Sequence, residues 1–128
     1  MKTIIVVAAL IKQDNSYLIG LRSSGMHKGY WEFPGGKVED NESLEVALIR
    51  EIKEEFNCDL IIDHYLVTIN HSYNEFNLIM HCFKCRLNSL DLTLNDHSEI
   101  AWYNPNEDKP INWLEADLKI VEYIKGLV

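Results

Sequence analysis

Basic residues are scarce in this 128-residue chain: 12 Lys and Arg stand against 20 Asp and Glu, a formal net charge of −8. So few cations argue against sequence-independent binding to a nucleic acid polymer, which depends on Lys and Arg neutralising phosphates. A small polyanion would be repelled as well unless a cation accompanies it. Cysteine is sparse and odd in number, Cys58, Cys82 and Cys85, which disfavours a disulfide framework and fits a reducing cytoplasm. Cys82 and Cys85 have the spacing of a metal-binding pair, but there is no second pair. In a strand-like run their odd separation sends them to opposite faces, so both read as small buried apolar residues. No stretch approaches the roughly 20 apolar residues of a membrane span, and repeats and low-complexity linkers are lacking. Residues 4–11 after Met1 and Lys2 resemble the start of a signal peptide. The run is short, has no small-x-small cleavage site and passes straight into Lys12-Gln13-Asp14-Asn15, so it reads as a buried first strand.

What is present suits a single compact domain over residues 1–128. The 47% apolar and 25% charged residues exclude disorder, and a chain of this length buries roughly two-thirds of its unfolded surface. Residues 3–11 and 16–21 form a β-rich hairpin around Gln13-Asp14-Asn15, followed by a Gly-, Ser- and His-rich loop over 22–29. Residues 30–33 make a short aromatic strand ended by the turn signal Pro34-Gly35-Gly36. A helix is expected over 43–56, with Asp40, Asn41 and Ser43 as candidate N-caps, and a closing helix over 114–124. Strands are expected over 60–69, 76–87 and 100–103. This order predicts an α/β protein, a mixed β-sheet flanked by helices.

The central helix breaks its own pattern. Leu44, Ala47 and Leu48 form an apolar stripe, and the same azimuth one or two turns on meets Glu51 and Glu55, with Glu54 beside it. Glu51, Glu54 and Glu55 lie at i, i+3 and i+4, so they are expected to converge and repel. They also sit at the negative end of the helix dipole. Two local rules broken together mark a functional site, and the compensation that fits is a hard divalent cation, Mg²⁺ or Mn²⁺, held by carboxylate and carbonyl oxygens. A solvated acidic helix end is the bland alternative. Near the cluster, Pro34-Gly35-Gly36-Lys37 supplies a backbone that can approach a ligand closely and a cation, and Glu42 adds a fourth carboxylate.

Gly36, five residues, Glu42, seven residues, then Arg50-Glu51-Ile52-Lys53-Glu54-Glu55-Phe56-Asn57-Cys58 resembles the Nudix box, Gx5Ex7REUxEExGU with U aliphatic. The fixed glycine and polar positions match, each worth about one in twenty, so chance is of order 10⁻⁸ at a given start. Asn57 stands where the family has Gly, and Asn is the next-best residue for a left-handed helix end. Val6-Val7-Ala8-Ala9, Leu21-Arg22, Trp31-Glu32-Phe33-Pro34-Gly35-Gly36-Lys37 and Trp113-Leu114-Glu115-Ala116-Asp117 resemble MutT-type nucleoside triphosphate pyrophosphohydrolases, and within them the CTP and 5-methyl-dCTP branch.

The resemblance implies an α/β/α sandwich and metal-dependent hydrolysis of a nucleoside triphosphate to the monophosphate and pyrophosphate, with Mg²⁺ or Mn²⁺ as cofactor. It implies Glu51, Glu54, Glu55 and the Gly36 carbonyl as metal ligands, with Glu42 and Arg50 holding that shell in place. The general base is Glu54, Glu51, or a residue before the last strand, for which Asp96, His97 and Glu99 are the candidates. His97 reads equally as a surface histidine. Arg22 and Lys37 are the candidates for phosphate binding. Asp117 would read the base, accepting from an exocyclic amine of cytosine or adenine, or when protonated reading an oxidised guanine; capping a helix is its structural alternative. Phe33, Tyr73 and His71 are candidates for stacking on the base and serve equally as core or strand residues. A non-catalytic nucleotide-binding domain, oxidised-purine sanitation, ADP-ribose or dinucleoside polyphosphate hydrolysis and isoprenoid isomerisation are the competing functions. The partners expected are a small nucleotide and at most a second copy of the chain, a monomer or homodimer, with no nucleic acid polymer and no membrane.

Overall fold

The computed structural model describes residues 1–107 and 109–127. A long first strand, β1 (Lys2–Gln13), turns at Asp14, whose φ of 54° is left-handed, into β2 (Ser16–Arg22). Two short strands follow, β3 (Trp31–Glu32) and β4 (Gly35–Lys37), then α1 (Leu44–Phe56). Strands β5 (Leu60–Ser72), β6 (Phe76–Leu87) and β7 (His97–Tyr103) lead to the closing helix α2 (Asp117–Lys125). The sheet has seven strands in the order β3-β2-β1-β6-β5, with β4 on β1 and β7 on β2. It is mixed: β1 runs parallel to β6, from Lys2 opposite Phe76 to Ile11 opposite Cys85, while its other pairings are antiparallel.

Burial on both faces explains the near-continuous apolar sequence of β1. Ala8 and Leu10 join Ile120, Val121 and Ile124 of α2 on one face. Val7, Ala9 and Ile11 join Ala47, Leu48, Ile52 and Phe56 of α1 on the other. The result is the α/β/α layering expected, with Cys82 in the α2-side core and Cys85 in the α1-side core. All three cysteines are free and buried.

The site arises where β1 changes partner. At Lys12 and Gln13 its neighbour is β2, but at Val6, Val7 and Ala8 it is β4. β1 therefore forks, and the gap between β2 and β4 opens a cavity. The Pro-Gly-Gly segment expected as a turn makes this second pairing. A Cβ on Gly35 would come within 1.9 Å of the Val7 carbonyl oxygen, so only glycine lets the two backbones meet. No helix among the described residues is long and apolar enough to cross a membrane.

Candidate active site

Helix α1 delivers the acidic wall. Ser43, one of the three candidate caps, starts the helix by accepting from the Val46 N–H at 3.2 Å. Asn57 ends it in the left-handed conformation, φ 52° and ψ 42°. The buried stripe of Ala47, Leu48 and Ile52 fixes the helix roll, which sends Glu51 and Glu55 into the cavity and leaves Glu54 outside it. The expected convergence of three glutamates is thereby corrected. Glu54 is turned to Arg50 at 3.3 Å, with its side chain 57% exposed. Among the described residues no three His, Cys, Asp or Glu side chains stand together as a ready metal cage.

Arg50 is the reason. Its guanidinium grips Glu42 through two bonds of 2.6 and 2.9 Å, donates to Glu51 at 3.0 Å and reaches the Lys37 carbonyl at 3.1 Å. It is a brace on the outside of the site and does not line the cavity. This grip holds the Glu42 carboxyl down at about 2, with the Glu39 N–H assisting. Glu51 lies so close to Gly36 that a Cβ there would be 2.3 Å from the Glu51 carboxyl carbon.

Glu55 is buried, and its Oε2 has no partner. Burial, followed by the charges of Glu32, Glu51 and Asp96, pushes its carboxyl up to about 9, while the Gly35 N–H favours the ionised form. Burial likewise raises Glu51. An orphaned buried carboxyl oxygen among further carboxylates, beside the Gly36 backbone, fits a hard divalent cation.

The opposite wall is the segment before and into β7. Asp96 lines the cavity, and Ser23 donates from its hydroxyl to the Asp96 carbonyl at 2.8 Å. A bulge in the β2–β7 pairing at Leu21/Arg22 alters the side-chain phase. His97 thus faces α1, stacked on Phe56 at 5.4 Å, while Glu99 is exposed and away from the cavity. His97 is buried rather than a surface residue, and its Nε2 lies 3.0 Å from Glu32.

Glu32 escaped the sequence reading. It bonds Arg22 at 3.2 Å as well as His97, and so links a cavity cation to the core. Its place in a short aromatic strand gave no sign of this, because the link to the core needs His97, 65 residues further along the chain. Arg22 and Lys37 both line the cavity.

The far end of the cavity is apolar and is built by Phe33, Tyr73, Leu78, Met80, Leu114 and Ala116. Asp117 is the polar group set into it. It sits in the first turn of α2 with no capping bond from a side chain there; its Oδ2 instead accepts from the Phe33 N–H at 2.8 Å. Burial pushes Asp117 up to about 8, with Glu32 raising it and the Phe33 N–H and Arg22 opposing. Phe33 is buried and stacked on Trp113 at 5.2 Å. His71 does not reach the cavity; it packs edge-on against Tyr73 at 4.7 Å and bonds Glu115 at 2.9 Å. The whole cavity is about 1060 Å³.

A cavity with carboxylates and two cations at one end and an aromatic pocket at the other has the chemistry to take a phosphorylated, ring-bearing ligand. Residues 6–123 match the family model described as the NUDIX domain, and the chain belongs to the Nudix hydrolase family. Among curated relatives it is 32% identical to the CTP pyrophosphohydrolase of Escherichia coli (strain K12), covering 99% of this chain and 95% of that protein. It is 36% identical to an 8-oxo-dGTP diphosphatase of Proteus vulgaris over 62% of this chain and 71% of the relative. The solution structure of a DNA mismatch repair protein MutT (family Nudix hydrolase) from methicillin-resistant Staphylococcus aureus 252 superposes with a TM-score of 0.76 at 43% identity, covering all of both chains.

Proposed function

We propose that the protein hydrolyses a nucleoside triphosphate with a cytosine-like or modified base to the monophosphate and pyrophosphate. The observation that carries this reading is the single cavity running from the buried Glu55 to the buried Asp117, with Arg22 and Lys37 beside its acidic end. The relatives named for CTP and 8-oxo-dGTP support the substrate class, and hydrolases of the family generally use a divalent cation. Glu51, Glu55 and the Gly36 carbonyl would hold Mg²⁺ or Mn²⁺, joined by Glu54 once it turns from Arg50. When bound, the cation neutralises phosphate oxygens and lowers the pKa of a coordinated water. Arg22 and Lys37 bind the phosphates and orient the chain of the substrate. Asp96, the carboxylate before β7 that lines the cavity, would add its charge to the cation site and accept the proton of the attacking water. Asp117 reads the base edge, while Tyr73 flanks it.

Oxidised guanine nucleotides form the second reading. A carboxyl that keeps its proton to about pH 8 donates from its O–H, which suits a ring carbonyl of an oxidised purine. The deciding experiment is a panel of normal, methylated and oxidised NTPs and dNTPs together with ADP-ribose, scored for monophosphate and pyrophosphate with Mg²⁺ and with Mn²⁺. Turnover of a cytosine nucleotide above the others is the expected result. Preference for 8-oxo-dGTP selects the second reading, and binding without turnover of any member overturns catalysis in favour of a nucleotide-binding domain.

A further inference from the structure

The last carbonyls of a helix have no partners within it. At the end of α1 three of them are taken by one short stretch of the loop before β7. The Asn95 side-chain Nδ2 donates to the Glu54 carbonyl at 2.8 Å, and its backbone N–H donates to the Glu55 carbonyl at 3.0 Å. The Thr93 N–H donates to the Phe56 carbonyl at 3.0 Å. The loop is thus pinned to the same turn that bears the acidic residues, although Thr93, Asn95 and Asp96 are themselves exposed.

The residue after Asn95 is Asp96, which lines the same cavity as Glu51 and Glu55. Coulomb repulsion favours swinging an exposed carboxylate away from that wall. The pins on Asn95, and the Ser23 hydroxyl on the Asp96 carbonyl, hold it there instead.

We infer that Asn95 is a positioning residue, a clamp that keeps Asp96 facing Glu51 and Glu55 so that the carboxylates act together on a divalent cation. The inference rests on the metal-dependent reading of the site, and it assigns Asn95, whose side chain is spent on the Glu54 carbonyl at the cavity's edge, a role through Asp96.

The test uses Mn²⁺ alone, without nucleotide, with free Mn²⁺ followed by its EPR signal in titrations of the full chain. Asn95→Ala and Asp96→Ala should each weaken Mn²⁺ binding about tenfold. The double variant should be no weaker than Asp96→Ala, because a clamp has nothing to hold once the carboxylate is gone. Effects that add, or an Asn95→Ala protein that binds Mn²⁺ as the wild type does, overturn the clamp. If circular dichroism finds Asn95→Ala unfolded, Ser23→Ala takes its place in the same cycle, with a loss of about threefold expected and additivity again fatal. In turnover, Asn95→Ala should raise the Mg²⁺ concentration needed for half-maximal rate and leave the nucleotide KM at saturating Mg²⁺ unchanged. A wild type that binds Mn²⁺ but turns over no nucleotide defeats the proposed function and leaves the clamp standing; intact turnover with additive effects does the reverse.

Discussion

Glu55 and Asp117 are both buried carboxyls on helices, both face one cavity, and burial raises both, to about 9 and about 8. Their surroundings differ. Glu55 lies in the last turn of α1, at the negative end of that helix, and after burial its largest perturbers are the carboxylates Glu32, Glu51 and Asp96. Asp117 lies in the first turn of α2, accepts from a backbone N–H and has Arg22 as a favourable charge. The same rise therefore has two meanings. At Glu55 three neighbouring carboxylates add to the effect of burial, a combination that a bound cation would offset, whereas at Asp117 burial acts against a backbone N–H and Arg22 and leaves a neutral hydrogen-bonding group. On the proposed function, similar shifts at two ends of one cavity serve a charge-binding end and a shape-reading end.

The contrast can be broken in several ways. Glu55→Gln keeps the shape of the side chain and removes its charge for good. Turnover should fall by about a thousandfold or more in a steady-state pyrophosphate assay with Mg²⁺, with the same for Glu51→Gln and Glu54→Gln. Activity within tenfold of wild type removes the substituted residue from the cation's ligands. Asp117→Ala, at the other end, should change the ratio of rates between the best and second-best bases by about ten- to a hundredfold. An unchanged ranking in the nucleotide panel takes the base-reading role away from it.

Two smaller effects sharpen the same division. Mn²⁺ at about a hundred times its Kd should raise the melting temperature of the wild type and of Asp117→Asn by roughly 10 °C, and that of Glu55→Gln much less. Equal shifts in all three would mean that the cation does not use Glu55. Asp117 has an ordinary carboxyl value of 3.8 when unfolded and about 8 when folded. Between those values the folded chain binds the extra proton, so the stability it contributes is complete below about pH 4 and is lost as pH rises through about 8. Melting temperatures taken from pH 5 to pH 9 should fall by a few degrees more for the wild type than for Asp117→Asn. Parallel curves would show that Asp117 titrates at its ordinary value.

Much of this was legible in the sequence because it is local. The α1 boundaries and the left-handed Asn57 follow from short-range rules, which narrowed the cap to three residues including Ser43, and the box spacing names the acidic residues without reference to any neighbour. What stayed hidden depends on contacts across the chain. Pro34-Gly35-Gly36 reads as a turn because its pairing partner lies in β1, and strand β4 is visible only once β1 is seen to fork. Glu99 and His97 look equivalent in sequence, and one bulge separates them. Glu54 looks like Glu51 and Glu55 until Arg50, committed to Glu42, also draws it outward. The closing helix starts at Asp117 rather than at 114, because Leu114 and its neighbours are engaged with Trp31.

The parallel pairing of β1 with β6 carries a consequence for how the chain acquires activity. It joins Lys2 to Phe76 and Ile11 to Cys85, so the two strands meet only after everything between them, α1 and β5 included, has been gathered into a closed loop. Pairings this distant in sequence form slowly. Helix α1 has its cap and its own hydrogen bonds, and can form early, carrying Glu51, Glu54 and Glu55 before the cavity exists. During synthesis on the ribosome, the segment from Asp96 onward leaves after α1. The acidic helix therefore waits for its opposite wall, and the complete cavity arrives only when the segment from Asp96 into β7 has joined it.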